Sequence, residues 1–146
     1  MADAEARLTR LFGCDDGQPN VDARRNRLIG GDQAREAFVN VMRCRLAHDL
    51  GYQRTHVLEF KNSRGPPLYH MVFASDHDAG DRIMASLYAS AANRNRGMAQ
   101  DALAHETGVQ SLFAASEVTP LRYKATPPVD PSEYLDALLR SPTDVE

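Results

Sequence analysis

The chain has 146 residues, 42% hydrophobic and 25% charged, with a formal net charge of −3. These values are ordinary for one globular domain; they exclude collagen, coiled coil and wholesale disorder, and argue against a dedicated polyanion binder. No apolar run approaches the ~20 residues that cross a bilayer, and the acidic start Met-Ala-Asp-Ala-Glu-Ala is unlike a secretory signal, so a cytoplasmic location without membrane contact is expected.

Asp3 caps a first helix in which Leu8, Leu11 and Phe12 share one side, and Gly13 closes it in the left-handed conformation. From Cys14 to Gly31 the composition turns to Asp, Gly, Gln, Pro, Asn and Arg, which reads as a solvated loop. Ala34, Phe38, Val41, Met42, Leu46 and Leu50 then recur at three- and four-residue steps, predicting an amphipathic helix that stops at Gly51. Thr55 to Phe60 alternates, with His56, Leu58 and Phe60 on one face and Thr55, Val57 and Glu59 on the other. After the turn-rich Lys61–Pro67, the run Leu68-Tyr69-His70-Met71-Val72-Phe73-Ala74 reads as a strand covered on both faces, paired with the first as an antiparallel hairpin. A helix begins at Asp76-His77-Asp78, with Gly80 in its first turn for close packing and Ile83, Met84, Leu87, Tyr88 and Ala91 as its apolar stripe. Met98 to Glu106 forms a further helical stretch, and Val109 to Thr126 has no sustained period. A last helix is capped by Asp130, has Pro131 first, and presents Tyr134, Leu135, Leu138 and Leu139 before Pro142.

The fold expected is α+β: an antiparallel two-stranded hairpin flanked by helices. A lone hairpin is marginal in water, and helices do not satisfy the backbone groups along a strand edge. The apolar second strand therefore calls for a strand beside it; the alternative is a self-contained α+β domain with a wetted edge.

Chemistry-bearing residues are sparse. Asp76, His77 and Asp78 suit a metal or a proton shuttle, but equally a helix start, where acids oppose the positive dipole end. His56 and His70 would make a metal-site pair if they faced each other across the hairpin, although a third ligand is missing. His48 and His105 read as surface residues. Cys14 and Cys44 have no CxxC pattern or sequence-near base and read as reduced thiols. Gly30-Gly31 lacks the preceding strand of a phosphate-binding loop and reads as punctuation. Fifteen of the 17 cationic residues are Arg. Arg24, Arg25 and Arg27 in the polar segment, and separately Arg43, Arg45, Arg94 and Arg96, are candidates for phosphate contact, without interleaved aromatic residues.

Leu11-Phe12-Gly13, Leu50-Gly51-Tyr52, Val57-Leu58-Glu59-Phe60, and above all Pro67-Leu68-Tyr69-His70-Met71-Val72-Phe73-Ala74-Ser75-Asp76-His77 followed by Gly80 and Ile83-Met84, resemble in order and spacing the C-terminal half of the three-Cys-motif partner protein family, TcmP. The resemblance covers roughly Leu8 to Tyr88. It implies the C-terminal part of a Rossmann-like sheet of the class I methyltransferase type, with S-adenosylmethionine (SAM) as the cofactor of the complete fold and a three-cysteine protein as a partner. The glycine loop and acidic residue by which such folds hold SAM are not in this sequence, so no SAM binding by this chain alone is expected.

The division expected is a TcmP-like segment over 1–95 and a helical or irregular extension over 96–146. The function expected is that of a truncated or split TcmP-like chain, non-catalytic alone, acting with a missing N-terminal half, a three-Cys-motif protein or a second copy. The alternative is a small nucleic-acid-binding module using Arg24, Arg25 and Arg27. No residue is assigned to catalysis or metal binding. The structural or interface residues expected are Leu68, Tyr69, Met71, Val72 and Phe73 on the inner strand, Gly80, and Ile83, Met84 and Leu87 on the packing helix, with Phe73→Ala or Met71→Ala costing about 2–5 kcal/mol.

Overall fold

The computed structural model describes residues 2–62, 67–105, 118–119 and 122–141. It is α+β, and its contacts group into two compact units, Met1–Tyr52 with Pro127–Glu146, and Gln53–Thr126.

The first unit is helical: α1 (Ala2–Phe12), α2 (Gln18–Arg25), α3 (Gly31–Cys44) and α5 (Pro131–Arg140), the fourth helix belonging to the other unit. Gly13 ends α1 at φ +68 and Gly51 lies at φ +77, a backbone region costly for any residue with a Cβ. Gly30 opens α3 in an extended conformation, its N–H donating to Gln33 Oε1 at 2.8 Å, so the Gly-Gly pair is indeed helix punctuation. The helix continues past Cys44 as a widened turn over Arg45–Asp49, in which Leu50 N–H reaches Arg45 O at 3.2 Å.

The segment expected as a solvated loop contains α2, with Pro19 in its first turn and Asn20 and Ala23 buried. Few apolar residues mark it because its burial comes from tertiary contact. Ala23 and Ile29 join Ala34 and Leu135 in one core cluster, with Phe38 and Leu138 packed against it. The two ends of the unit are also joined by Asn40, which donates Nδ2–H to Val129 O at 2.7 Å and accepts Val129 N–H at 3.1 Å. Asp130 caps α5, accepting from the N–H groups of Ser132 and Glu133.

The second unit holds the hairpin β1 (Arg54–Asn62) and β2 (Pro67–Ser75), the helix α4 (Asp78–His105), and the two-residue strands β3 (Val118–Thr119) and β4 (Tyr123–Lys124). All pairings are antiparallel: β1 pairs with β2 along its length, and with β3 and β4 on its other side. The stretch expected to lack periodicity thus supplies two strands, while 106–117 and 120–121 lie outside the described residues. Helix α4 runs unbroken through residues 95 and 96.

This topology corrects the reading of the hairpin. The less apolar β1 is the inner strand, with Thr55, His56, Val57, Leu58 and Glu59 all buried, whereas β2 is an edge among the described residues. Nor is β2 covered on both faces as its continuous hydrophobicity suggests, since every side chain from Tyr69 to Ala74 is half-buried or exposed; apolar content alone does not say which strand has neighbours. The buried Glu59 is tied to the incoming segment, its carboxylate accepting from Arg122 Nε at 2.9 Å and its N–H donating to Arg122 O at 3.0 Å. Helix α4 covers one face of the sheet: Leu58, Tyr88 and Ala92 form the core there, with Phe60, Phe73, Met84, Ala91 and Tyr123 packed against them. Burying a side chain such as Leu58 contributes about 1.5–3 kcal/mol. Among the described residues no helix is long and apolar enough to cross a membrane.

Candidate functional site

Two features of the second unit concentrate its unusual chemistry: the edge of β2, and a hydrogen-bonded cluster on the face under α4.

On the edge, register alternation places Tyr69, Met71 and Phe73 on the α4-covered face, opposite Phe60, Leu58 and His56. Phe73 packs into the core, but Tyr69 is 53% exposed and Met71 47%. Met71 is therefore no core residue, and the cost expected for its truncation does not apply. Val72 pairs with Val57 on the opposite face and is half-buried. Leu68 belongs to β2, and its side chain lies outside the described residues. On α4, Met84 faces the sheet, while Ile83 and Leu87 turn outward at 59% and 57% exposure. Two of the five stripe residues thus turn outward; of the others Tyr88 is buried and Met84 and Ala91 are partly buried, and Ala92, outside the expected stripe, is buried beside them. Gly80 lies against Ser75, where a Cβ would come within 2.9 Å of Ser75 Oγ.

The histidines do not pair as a metal site. His56 lies opposite Phe73 and His70 opposite Glu59, so the two point to different faces of the sheet. The Asp76-His77-Asp78 cluster builds the strand-to-helix corner. His77 N–H donates to Ser75 Oγ at 3.1 Å, Ala79 N–H donates to His77 Nδ1 at 3.2 Å, and Asp78 pairs with Arg54.

His56, 3% exposed at its side chain, instead joins Asp81 and Tyr123. Its Nε2 lies 2.6 Å from Asp81 Oδ1 and its Nδ1 2.8 Å from Tyr123 Oη. The Asp81 carboxylate accepts, which calls for the proton on Nε2; in that tautomer Nδ1 accepts from the Tyr123 hydroxyl. Arg54 Nη1 stands 3.3 Å from Asp81 Oδ2 and holds that carboxylate from the other side. Tyr123 lies parallel to the imidazole with centroids 5.9 Å apart, and Tyr88 stands edge-on to both rings. Burial pushes the Tyr123 phenol above its ordinary range, with Asp81 and Tyr88 adding to the shift, and burial does the same to Tyr88.

Sequence reasoning missed Asp81 and Tyr123. Asp81 was findable: with Met84 and Tyr88 it holds positions i, i+3 and i+7, placing a carboxylate on an apolar stripe. Tyr123 was not, because a two-residue strand leaves no periodicity.

Of the candidate arginines, Arg25, Arg43 and Arg45 are committed within the fold. Arg25 pairs with Glu5 and Asp22, Arg43 is buried, and Arg45 donates to Phe12 O and pairs with Asp49. Arg24, Arg27 and Arg94 are exposed, the side chain of Arg96 lies outside the described residues, and Arg27 adopts φ 58. Cys44 is buried and donates to Val129 O; burial raises its thiol above the usual range. Cys14 is half-exposed. Compared with models of known protein families, with curated proteins and with solved structures, the chain matches none.

Proposed function

We propose that this chain is a sheet-completing module that works by accepting a strand from another polypeptide along the edge of β2. One observation carries the reading: β2 is uncharged along Pro67–Ser75, bonded to β1 on one side, and without a strand on the other among the described residues. Edge strands are ordinarily blunted by charge, proline or a bulge within the strand. From Tyr69 to Ser75 this one carries none of the three; Pro67 and the extra residue Leu68, which the register skips between the pairs Pro67 with Lys61 and Tyr69 with Phe60, are confined to its first two positions. The exposed Tyr69 and Met71 add apolar surface beside it, a combination that suits strand addition.

The TcmP resemblance supplies the nature of the partner: a methyltransferase-like half, separately encoded, that brings the neighbouring strand and the SAM site, with a three-Cys-motif protein as a further associate. In this reading the chain alone transfers no methyl group.

Amide hydrogen exchange on the full chain, alone and co-expressed with such a half, tests it. The expected result is fast exchange of the β2 amides that point away from β1 in the chain alone, and protection of those amides in the complex. A monomer whose β2 amides are all protected, or calorimetric SAM binding by the chain alone, overturns it. The nucleic-acid alternative retains the exposed Arg24, Arg27 and Arg94 among the described side chains, and absence of RNA or DNA binding at low ionic strength removes it.

A further inference from the structure

The cluster under α4 carries an inference independent of the strand edge. We propose that Tyr123 is a base-assisted nucleophile toward small, uncharged, activated acyl esters, with His56 as its general base and Asp81 as the positioning residue.

The argument is geometric. Nucleophile and base are within hydrogen-bond reach at 2.8 Å, and base and orienting carboxylate at 2.6 Å, the arrangement that activates a hydroxyl too weak to react unaided. Among the described residues, the charged and titratable groups around His56 are Asp81 and Tyr88 from α4, Tyr123 from β4 and Arg54 from β1, with Asp78 reached through Arg54. Asp81 fixes the tautomer that turns the unprotonated Nδ1 toward the phenol, and it stabilises the imidazolium formed when that proton arrives. Burial disfavours the free phenolate, so reaction near neutral pH requires the proton to leave as the new bond forms.

Charge selects the substrate class. Arg54, the cation of the cluster, is engaged by both Asp78 and Asp81, and the carboxylates leave no net positive charge for a phosphate or sulfate ester. A neutral carbonyl meets no such repulsion, and an activated ester with a good leaving group asks least of a weak nucleophile. With p-nitrophenyl acetate, Tyr123 Oη attacks the carbonyl carbon while its proton passes to His56 Nδ1. The tetrahedral adduct then breaks its bond to p-nitrophenolate, leaving acetyl-Tyr123, and the imidazolium releases its proton to solvent.

The test uses the full chain with p-nitrophenyl acetate near neutral pH, and reads the ratio of acetylation at Tyr123 to that at Tyr69 by peptide mass spectrometry. Exposure alone favours Tyr69. The proposal expects Tyr123 to react faster by on the order of 10²-fold, the usual contribution of a positioned base. Tyr123→Phe removes the label at that position. Asp81→Asn lets the side-chain amide donate to Nε2 and shifts the proton to Nδ1, so the ratio falls at least about tenfold with the helical signal retained, and Asp81→Glu recovers part of it. Should Asp81→Asn lose structure, the wild-type ratio alone decides. Equal or preferential labelling of Tyr69 overturns the proposal, as does a Tyr123 rate that a folded Asp81→Asn chain leaves unchanged.

Discussion

Phe73 and Met71 stand two residues apart on the same face of β2, yet only Phe73 reaches the core formed by Leu58, Tyr88 and Ala92. Phe73→Ala is expected to cost about 2–4 kcal/mol, and Met71→Ala less than about 1 kcal/mol, because half of Met71 is already in water. Urea titration of the two variants separates them. At Gly80 two effects compete: alanine gains about 1 kcal/mol of helix propensity, while overpacking costs about 1–3 kcal/mol. With a Cβ placed 2.9 Å from a hydroxyl that is itself bonded to His77, the clash wins. Gly80→Ala therefore lowers stability, and Ser75→Ala in the same chain restores part of it, as a double-mutant cycle will read. Gly80 was legible as a close approach, since a helix seldom keeps glycine in its first turn without such a reason. The exposure of Met71 was not, because β2 carries no mark of which edge is covered.

At the scale of elements, α5 shows a cap read from sequence and observed in place. The hydroxyl of Ser132, then the N–H of Glu133, and less strongly that of Ser132, hold the Asp130 carboxyl below the ordinary carboxylate range. A carboxyl whose folded value is depressed stabilises the fold fully above its unfolded value of about 3.9, and loses that contribution as pH falls through the folded value. Acidification below about pH 4 is thus expected to release the start of α5, and Asp130→Asn, which keeps the acceptor oxygen, to remove this dependence. Amide exchange of Ser132 and Glu133 against pH measures both. The helices α3 and α5, the first half of α4 and the hairpin were visible because period and punctuation agree along each of them, whereas the continuity of α4 into the stretch from Met98 was not, because its apolar stripe fades after Ala91. Helix α2 was hidden because Asn20 and Ala23 are its two buried residues, one of them polar, and make no apolar stripe that spans two turns.

Over the whole molecule, the first unit is assembled from both ends of the chain, while the second is one continuous stretch. The joint between those ends rests on Leu135 in the helical core and on Asn40 bracketing Val129. Leu135→Ala is expected to cost about 2–4 kcal/mol, and Asn40→Ala about 1–3 kcal/mol by leaving both backbone groups of Val129 without that partner. Chemical denaturation followed by helical circular dichroism checks both. Local pattern by itself determined most of the helices, the hairpin and the assignment of His56 and Leu58 to one face, because these follow from the 3.6- and 2-residue repeats. Only the tertiary structure decided that β1 is the inner strand, that α2 exists, and that Asp81 and Tyr123 meet on either side of His56. Those outcomes depend on contacts between segments far apart in sequence, and no local repeat records them.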